Sequence, residues 1–242
     1  MFDPTKFSHR LALFVSVAIT ALLAALIPIA ASRAAPLAQP TVTTVELTAT
    51  DDVGATQRGQ PDVPHPSVYL VLSKDGQGNY DNNFVQFDLS GLPANATVTA
   101  AALHLNIGAF GGPPLDVQLG RVTSAWDEAT VTWNNQPSFT QGGPIATISA
   151  TGDVSWTVTA LVQAWQDGTA PNNGFGLRGL NSNGAFVAAD SKEVSADPTG
   201  AGLPPLAPKL VITYSTPPDV ENAHPDLGDA PDSTNHHGVN NT

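Results

Sequence analysis

Oxygens, six imidazoles and aromatic rings are the groups with which this chain could do chemistry, because its 242 residues include no Cys. That excludes disulfides, thiol nucleophiles and thiolate metal sites. Aromatic faces can stack on the C–H side of a flat polar ligand such as a sugar ring. Tyr80, Phe84, Phe110 and Phe139 lie in or beside turn-rich segments, and Trp126 starts a loop. These five are the candidate exposed platforms. Trp133, Trp156 and Trp165 sit in apolar-alternating or capped segments, where burial of so large a side chain is the default. Tyr69 and Tyr214 lie in strand-like runs and are expected to pack. Cations for a local binding patch are few after residue 34: Arg58, Lys74, Arg121, Arg178, Lys192 and Lys209. Arg178 and Lys192 join the candidate binding set.

Carboxylates offer a second chemistry. Asp51 and Asp52 near the first strand, and Asp190 or Glu193 near a late strand, would meet if the terminal strands of a sandwich are neighbours. They are the candidate ligands of a structural calcium, by analogy with other sandwich modules; solvated surface acids are the alternative. The loop Asp75-Gly76-Gln77-Gly78-Asn79-Tyr80-Asp81 alternates oxygen donors, yet Tyr80 stands where an EF-hand needs Gly and Gln86 where it needs Glu. A plain hairpin loop is expected there. For catalysis there is no G-x-S-x-G, H-E-x-x-H or P-loop. Asp127 and Glu128 would point to opposite faces if extended, and capping the turn before Thr130 suits them better. A non-enzymatic role is the expectation. His236 and His237 read as solvated.

The elements that must position these groups are strands. Charged residues are 12% of the chain, about half the usual share, and Gly and Pro number 21 each. Residues 84–89 and 97–107 alternate apolar and polar, with Ala101, Leu103, Leu105 and Ile107 on one face. Further short strands are expected at 41–50, 68–72, 117–123, 130–133, 145–149, 154–158, 175–178, 185–189 and 209–214. The pattern predicts an all-β, jelly-roll-like sandwich. Residues 159–167 predict one short helix, capped by Thr159, with Leu161, Val162 and Trp165 inward and Gly168 ending it.

Lys6, His9 and Arg10 precede an apolar run over residues 11–31 and the small residues Ser32 and Ala34. This is the layout of a secretory signal, residues 1–34, although the run is long enough to be an uncleaved anchor. Residues 35–40 read as a linker, 41–215 as the sandwich, and 216–242 as a disordered tail or the start of a second module. Secretion or cell-surface display follows, with no membrane contact after signal cleavage. The net charge of −12 argues against nucleic-acid partners. It also repels acidic polymers, but screening limits that field to ~8 Å at physiological salt, so a local basic patch can still bind them.

One stretch is more specific than any of this. Trp126-Asp127-Glu128, then Thr130-Val131-Thr132-Trp133-Asn134, then Pro137 closely resembles the W-D-E-x-T-V-T-W-N-x-x-P signature of the DNRLRE-type domain, a secreted bacterial module close to carbohydrate-binding module family 96. Phe87-Asp88-Leu89-Ser90-Gly91-Leu92-Pro93, Trp156-Thr157-Val158-Thr159 with Leu161-Val162-Gln163 and Trp165, and Asn173-Gly174-Phe175-Gly176-Leu177-Arg178-Gly179 are similar to further segments of that family in the same order. Ser191-Lys192-Glu193 departs from its usual Ser-Arg-Glu, Lys209 stands where Arg is common, and Asn83 replaces a frequent basic residue. Lys lacks the planar fork that grips a carboxylate. The resemblance implies a secreted, non-catalytic module binding a polysaccharide, neutral or acidic and calcium-bridged. A structural or adhesion spacer is the alternative. Asp226-Leu227-Gly228-Asp229-Ala230-Pro231-Asp232-Ser233 resembles the opening of a following extracellular module, which implies downstream modules of a larger polypeptide.

Overall fold

The computed structural model describes residues 39–59, 61–64, 69–181, 184–194 and 206–218. The expected signal segment, the tail after 218, its D-x-G-D-A-P-D-S motif and His236-His237 lie outside the described residues. Within them no helix is long and apolar enough to cross a membrane.

Among the described residues eleven strands and one helix follow in chain order: β1 (Thr41–Thr48), β2 (Asp51–Thr56), β3 (Tyr69–Val71), β4 (Asp81–Gln86), β5 (Thr97–Gly111), β6 (Leu115–Arg121), β7 (Ile145–Ile148), β8 (Gly152–Thr157), α1 (Thr159–Gln166), β9 (Phe175–Gly179), β10 (Phe186–Asp190) and β11 (Lys209–Thr216). One sheet runs β1-β11-β5-β10-β3, with β8 also paired to β5; the other runs β2-β4-β9-β6-β7. Every pairing is antiparallel. This is the expected all-β sandwich with one short helix.

Alternation in β5 explains the layering. Leu103, Leu105 and Ile107 are buried, while His104 and Asn106 between them are half-buried. The register against β11 shifts between Thr213 and Tyr214, so Val98 and Ala101, three apart, both turn inward. Trp156 fills the centre and ties the sheets together, its indole Nε1 donating to the Val117 carbonyl at 3.0 Å. Trp165 lies against Phe175, ring centroids 4.7 Å apart. Tyr214 is buried as expected, whereas Tyr69 is 46% exposed. Tyr69 sits on a three-residue strand at the sheet edge, which leaves one side of the residue uncovered.

The helix presents Val162 and Trp165 to the core. Thr159 is not its cap. Val158 holds that position without a side-chain bond, and the Thr159 hydroxyl instead accepts the Ala101 N–H at 2.9 Å. Gly168, at φ +68°, provides the left-handed residue that stops the helix.

Two segments depart from the sequence reading. Residues 51–56, where no strand is expected, form β2, paired to β4 with Val53 and Ala55 turned inward. Residues 130–133 form turns and not a strand. Their β-branched residues are used to pack a loop, and local side-chain bonds satisfy the backbone. Asn135 Oδ1 accepts both the N–H and the hydroxyl of Thr132, and Asn135 Nδ2 donates to the Thr130 carbonyl.

Candidate functional site

The loop from 122 to 143 crosses the five-stranded sheet and creates a second, smaller core. Val53, Ala55, Phe84, Val122, Val131 and Phe139 are buried together, with Trp126 and Trp133 packed against them. β4 is therefore buried on both faces, which corrects the expectation for Phe84. It is fully buried, 6.0 Å from both the Trp126 and Phe139 rings, and cannot be an exposed platform. Glycine makes the crossing possible. A Cβ on Gly120 would lie 1.9 Å from the Thr140 carbonyl oxygen, and one on Gly176 would lie 2.4 Å from Phe139 Cγ.

Of the two acids expected to cap the first turn of this loop, Asp127 does so, whereas Glu128 turns to Lys192. The Asp127 Oδ1 accepts the Ala129 N–H, and its carbonyl accepts those of Thr130 and Val131. Trp126 is half-buried, its Nε1 donating to the Asn173 carbonyl at 2.9 Å. It anchors the loop to the segment before β9 and does not stand free as a platform. Much of the signature stretch 126–137 thus serves to build the loop.

Where the loop meets β4 and β9, a recess of about 500 Å³ opens, lined by Tyr80, Asn82, Trp133, Gln136, Phe139 and Arg178. Asn82 and Arg178 are cross-strand partners. Arg178 Nε donates to Asn82 Oδ1 at 2.8 Å, Asn82 Nδ2 to Gln136 Oε1 at 2.6 Å, and Gln136 Nε2 to the Trp133 carbonyl at 2.7 Å. The Arg178 guanidinium lies 4.6 Å from the Tyr80 ring centroid and 5.0 Å from that of Phe139, within cation–π range. Tyr80 meets Trp133 edge-on at 5.6 Å. Among the described residues the terminal nitrogens of Arg178 donate to no protein acceptor. A planar donor clamped between two rings, beside amides and a half-buried indole, can hold hydroxyls or a carboxylate while a ring stacks.

Three of the seven ligand-binding candidates therefore converge: Tyr80, Phe139 and Arg178. Phe139 contributes from beneath, since it is only 8% exposed. Phe110 belongs elsewhere, half-buried against the main core. Lys192 is withdrawn from any ligand surface, because its ammonium lies between Glu128 (3.0 Å) and Glu193. Trp133, expected in the core, is half-buried at the recess. Asn82 and Gln136 escaped notice in the sequence, although Tyr80, Asn82 and Phe84 keep a spacing of two.

The expected calcium ligands divide. Asp52 and Glu193 come together, joined by Glu128, with one oxygen of each carboxylate within 4.8 Å of the others. Asp51 is paired to Gln86 and, as the neighbour of Asp52 in a strand, points to the other face. Asp190 is buried and accepts the Asn106 side-chain N–H at 2.5 Å. Neither belongs to the group. Burial pushes the Asp52 carboxyl up to about 7. Desolvation also raises Glu128, while bonds from Lys192 and Ser191 lower Glu193 against its own burial. The 75–81 loop is the plain hairpin loop expected, with Asp75 Oδ1 accepting the N–H of Gln77 and Asn79.

A second surface carries Tyr69 and Phe186, 46% and 49% exposed. They flank a shallow groove of about 1150 Å³ that also includes Asn106, Gly108 and Asp190.

Comparisons with known proteins agree with one part of this picture. The profile of a family described as carbohydrate-binding module family 96 matches residues 43–200. No curated protein matches. Among solved structures, the crystal structure of Israel acute paralysis virus pentamer is similar at 10% identity, over 88% of this chain and 80% of that chain, with a TM-score of 0.20; a likeness that slight carries no argument.

Proposed function

This chain belongs to carbohydrate-binding module family 96, and from that premise we propose that it is a secreted, non-catalytic module holding a polysaccharide in the Tyr80–Trp133–Arg178 recess. The supporting observation is the meeting of an indole, two amides and a ring-clamped guanidinium in one opening. The ligand is neutral, or acidic and bridged by calcium, because the chain's net charge of −12 opposes an acidic polymer at long range. Attachment to a larger surface or polysaccharide-processing polypeptide belongs to the same reading.

Affinity electrophoresis of the full chain against neutral and acidic polysaccharides tests it. Wild type is expected to be retarded by at least one polymer. Trp133→Ala and Arg178→Ala should weaken that retardation about tenfold or more, the size expected for a central aromatic or Arg anchor. Tyr69→Ala, on the other surface, should leave it unchanged. Retention lost through Tyr69→Ala but not Trp133→Ala would move the site to the Tyr69–Phe186 groove. No retention on any polymer would refute glycan binding and leave a spacer or adhesion role.

A further inference from the structure

We propose that Asp52, Glu128 and Glu193 form a calcium site that staples the 122–143 loop to β2 and to the turn after β10. The three carboxylates come from separate parts of the chain: β2, the loop after Trp126, and the residues following β10. One oxygen of each lies within 4.8 Å of the others. That spread suits a cation bound at ~2.3–2.6 Å from each oxygen.

The second observation is the state of Asp52. It is 1% exposed. Its Oδ2 accepts the Lys192 backbone N–H at 2.7 Å, while Oδ1 has no hydrogen-bond partner among the described residues. An orphaned buried carboxylate oxygen is costly unless something pairs with it. Among the described residues Lys192 is the one cation bonded to the group. Its ammonium bonds Glu128 and Glu193, so one positive charge faces three carboxylates and Asp52 Oδ1 stays unserved. Lys192 carries its charge on a flexible stem, a quarter exposed, and can yield its place between the two glutamates.

The chemistry selects calcium. The donors are all oxygens, with no imidazole or thiolate. The partly exposed glutamates can each present one oxygen or two, and water can complete the shell. Calcium accepts six to eight ligands in irregular geometry, whereas magnesium needs a near-ideal octahedron and sheds water reluctantly. This inference does not depend on the glycan reading, since the cluster is made of residues outside the recess.

The test is thermal unfolding and calorimetric titration of the full chain, stripped with chelator, with calcium chloride as the probe. Magnesium chloride and sodium chloride at matched ionic strength are the controls. Wild type should gain roughly 5–10 °C in Tm at calcium about a hundredfold above its Kd, with a smaller gain from magnesium. Asp52→Asn and Glu193→Gln should each abolish the gain. Two variants are used because a change at a buried position can compromise folding, whereas Glu193 is partly exposed. Glu46→Gln, which removes a carboxylate paired with Lys209 away from the cluster, should keep the gain. Lys192→Met should tighten calcium binding several-fold by removing the competing cation. Absence of a calcium response in wild type, or a response that survives both Asp52→Asn and Glu193→Gln, overturns the proposal.

Discussion

Replacing Gly176 by Ala tests whether the loop over the five-stranded sheet is held by close contact with β9. In an unobstructed strand this change would stabilise the fold by ~0.5–1 kcal/mol, because Ala loses less conformational freedom than Gly. Here the new Cβ would stand 2.4, 2.7 and 2.9 Å from Phe139 Cγ, Cδ1 and Cβ. Carbon atoms pack at ~3.5–4.0 Å, so the ring must retreat by about 1 Å. It has little room to do so, with Phe84 edge-on at 6.0 Å and the Arg178 guanidinium 5.0 Å away. Overpacking of this kind costs ~1–3 kcal/mol, which for a domain of this size lowers Tm by roughly 2–12 °C. The assay is a double-mutant cycle by chemical denaturation with Phe139→Ala, which by itself removes the obstructing ring at a cost of ~3–5 kcal/mol. In that background Gly176→Ala should cost less than ~0.5 kcal/mol, because nothing remains to collide with. A single variant as stable as wild type, or an equal penalty in both backgrounds, would refute the reasoning.

Three further outcomes are expected. Burial holds the Asp52 carboxyl near 7 against an ordinary 3.8, so the folded state takes up a proton that the unfolded chain releases at lower pH. That contribution is fully present below pH 4 and is lost as pH rises through about 7, on the order of 4 kcal/mol in all. Denaturation curves without calcium should show this loss in wild type and a flatter profile in Asp52→Asn, with Glu128, Glu193 and Lys192 as the neighbouring charges. Trp156→Ala should cost ~3–5 kcal/mol, since it empties the centre of the sandwich and removes the indole bond to the Val117 carbonyl; equilibrium unfolding measures it. Gly168→Ala forces a side chain to φ +68° and should cost ~1 kcal/mol, seen as a small drop in Tm.

Periodicity was a good guide wherever one face of a strand meets solvent. β5 could be read from Leu103, Leu105 and Ile107, and α1 from Val162 and Trp165. It failed where a loop covers the second face. Phe84 occupies a position that alternation assigns to the outside, and the covering loop residues, Val122 to Phe139, come from 38 to 55 positions further on, so no local window contains them. β2 was hard to see because its apolar face is only Val53 and Ala55, and the residues that bury them come from the distant 122–143 loop. At the recess, Tyr80 and Arg178 could be singled out by type. Asn82 and Gln136 could not, since an amide in a turn-rich chain looks the same whether it lines a site or closes a turn. Asp52 and Glu193 drew notice as acids near sandwich termini. Glu128 was hidden by its neighbour, because the turn that Asp127 caps gave the pair a sufficient local explanation.

The pairing of β1 with β11 has a mechanical consequence. Thr41 stands opposite Thr216, and Thr48 opposite Lys209, so the chain enters and leaves the sandwich at the same end of one strand pair. A pull applied through the flanking polypeptide loads the Thr41–Thr216 rung first and then each rung behind it. The bonds are stressed one at a time, like the teeth of a zip, and never as a parallel set sharing the force. Tension through the flanking chain would therefore peel β1 from the sheet edge before it strained the loop that carries Trp133.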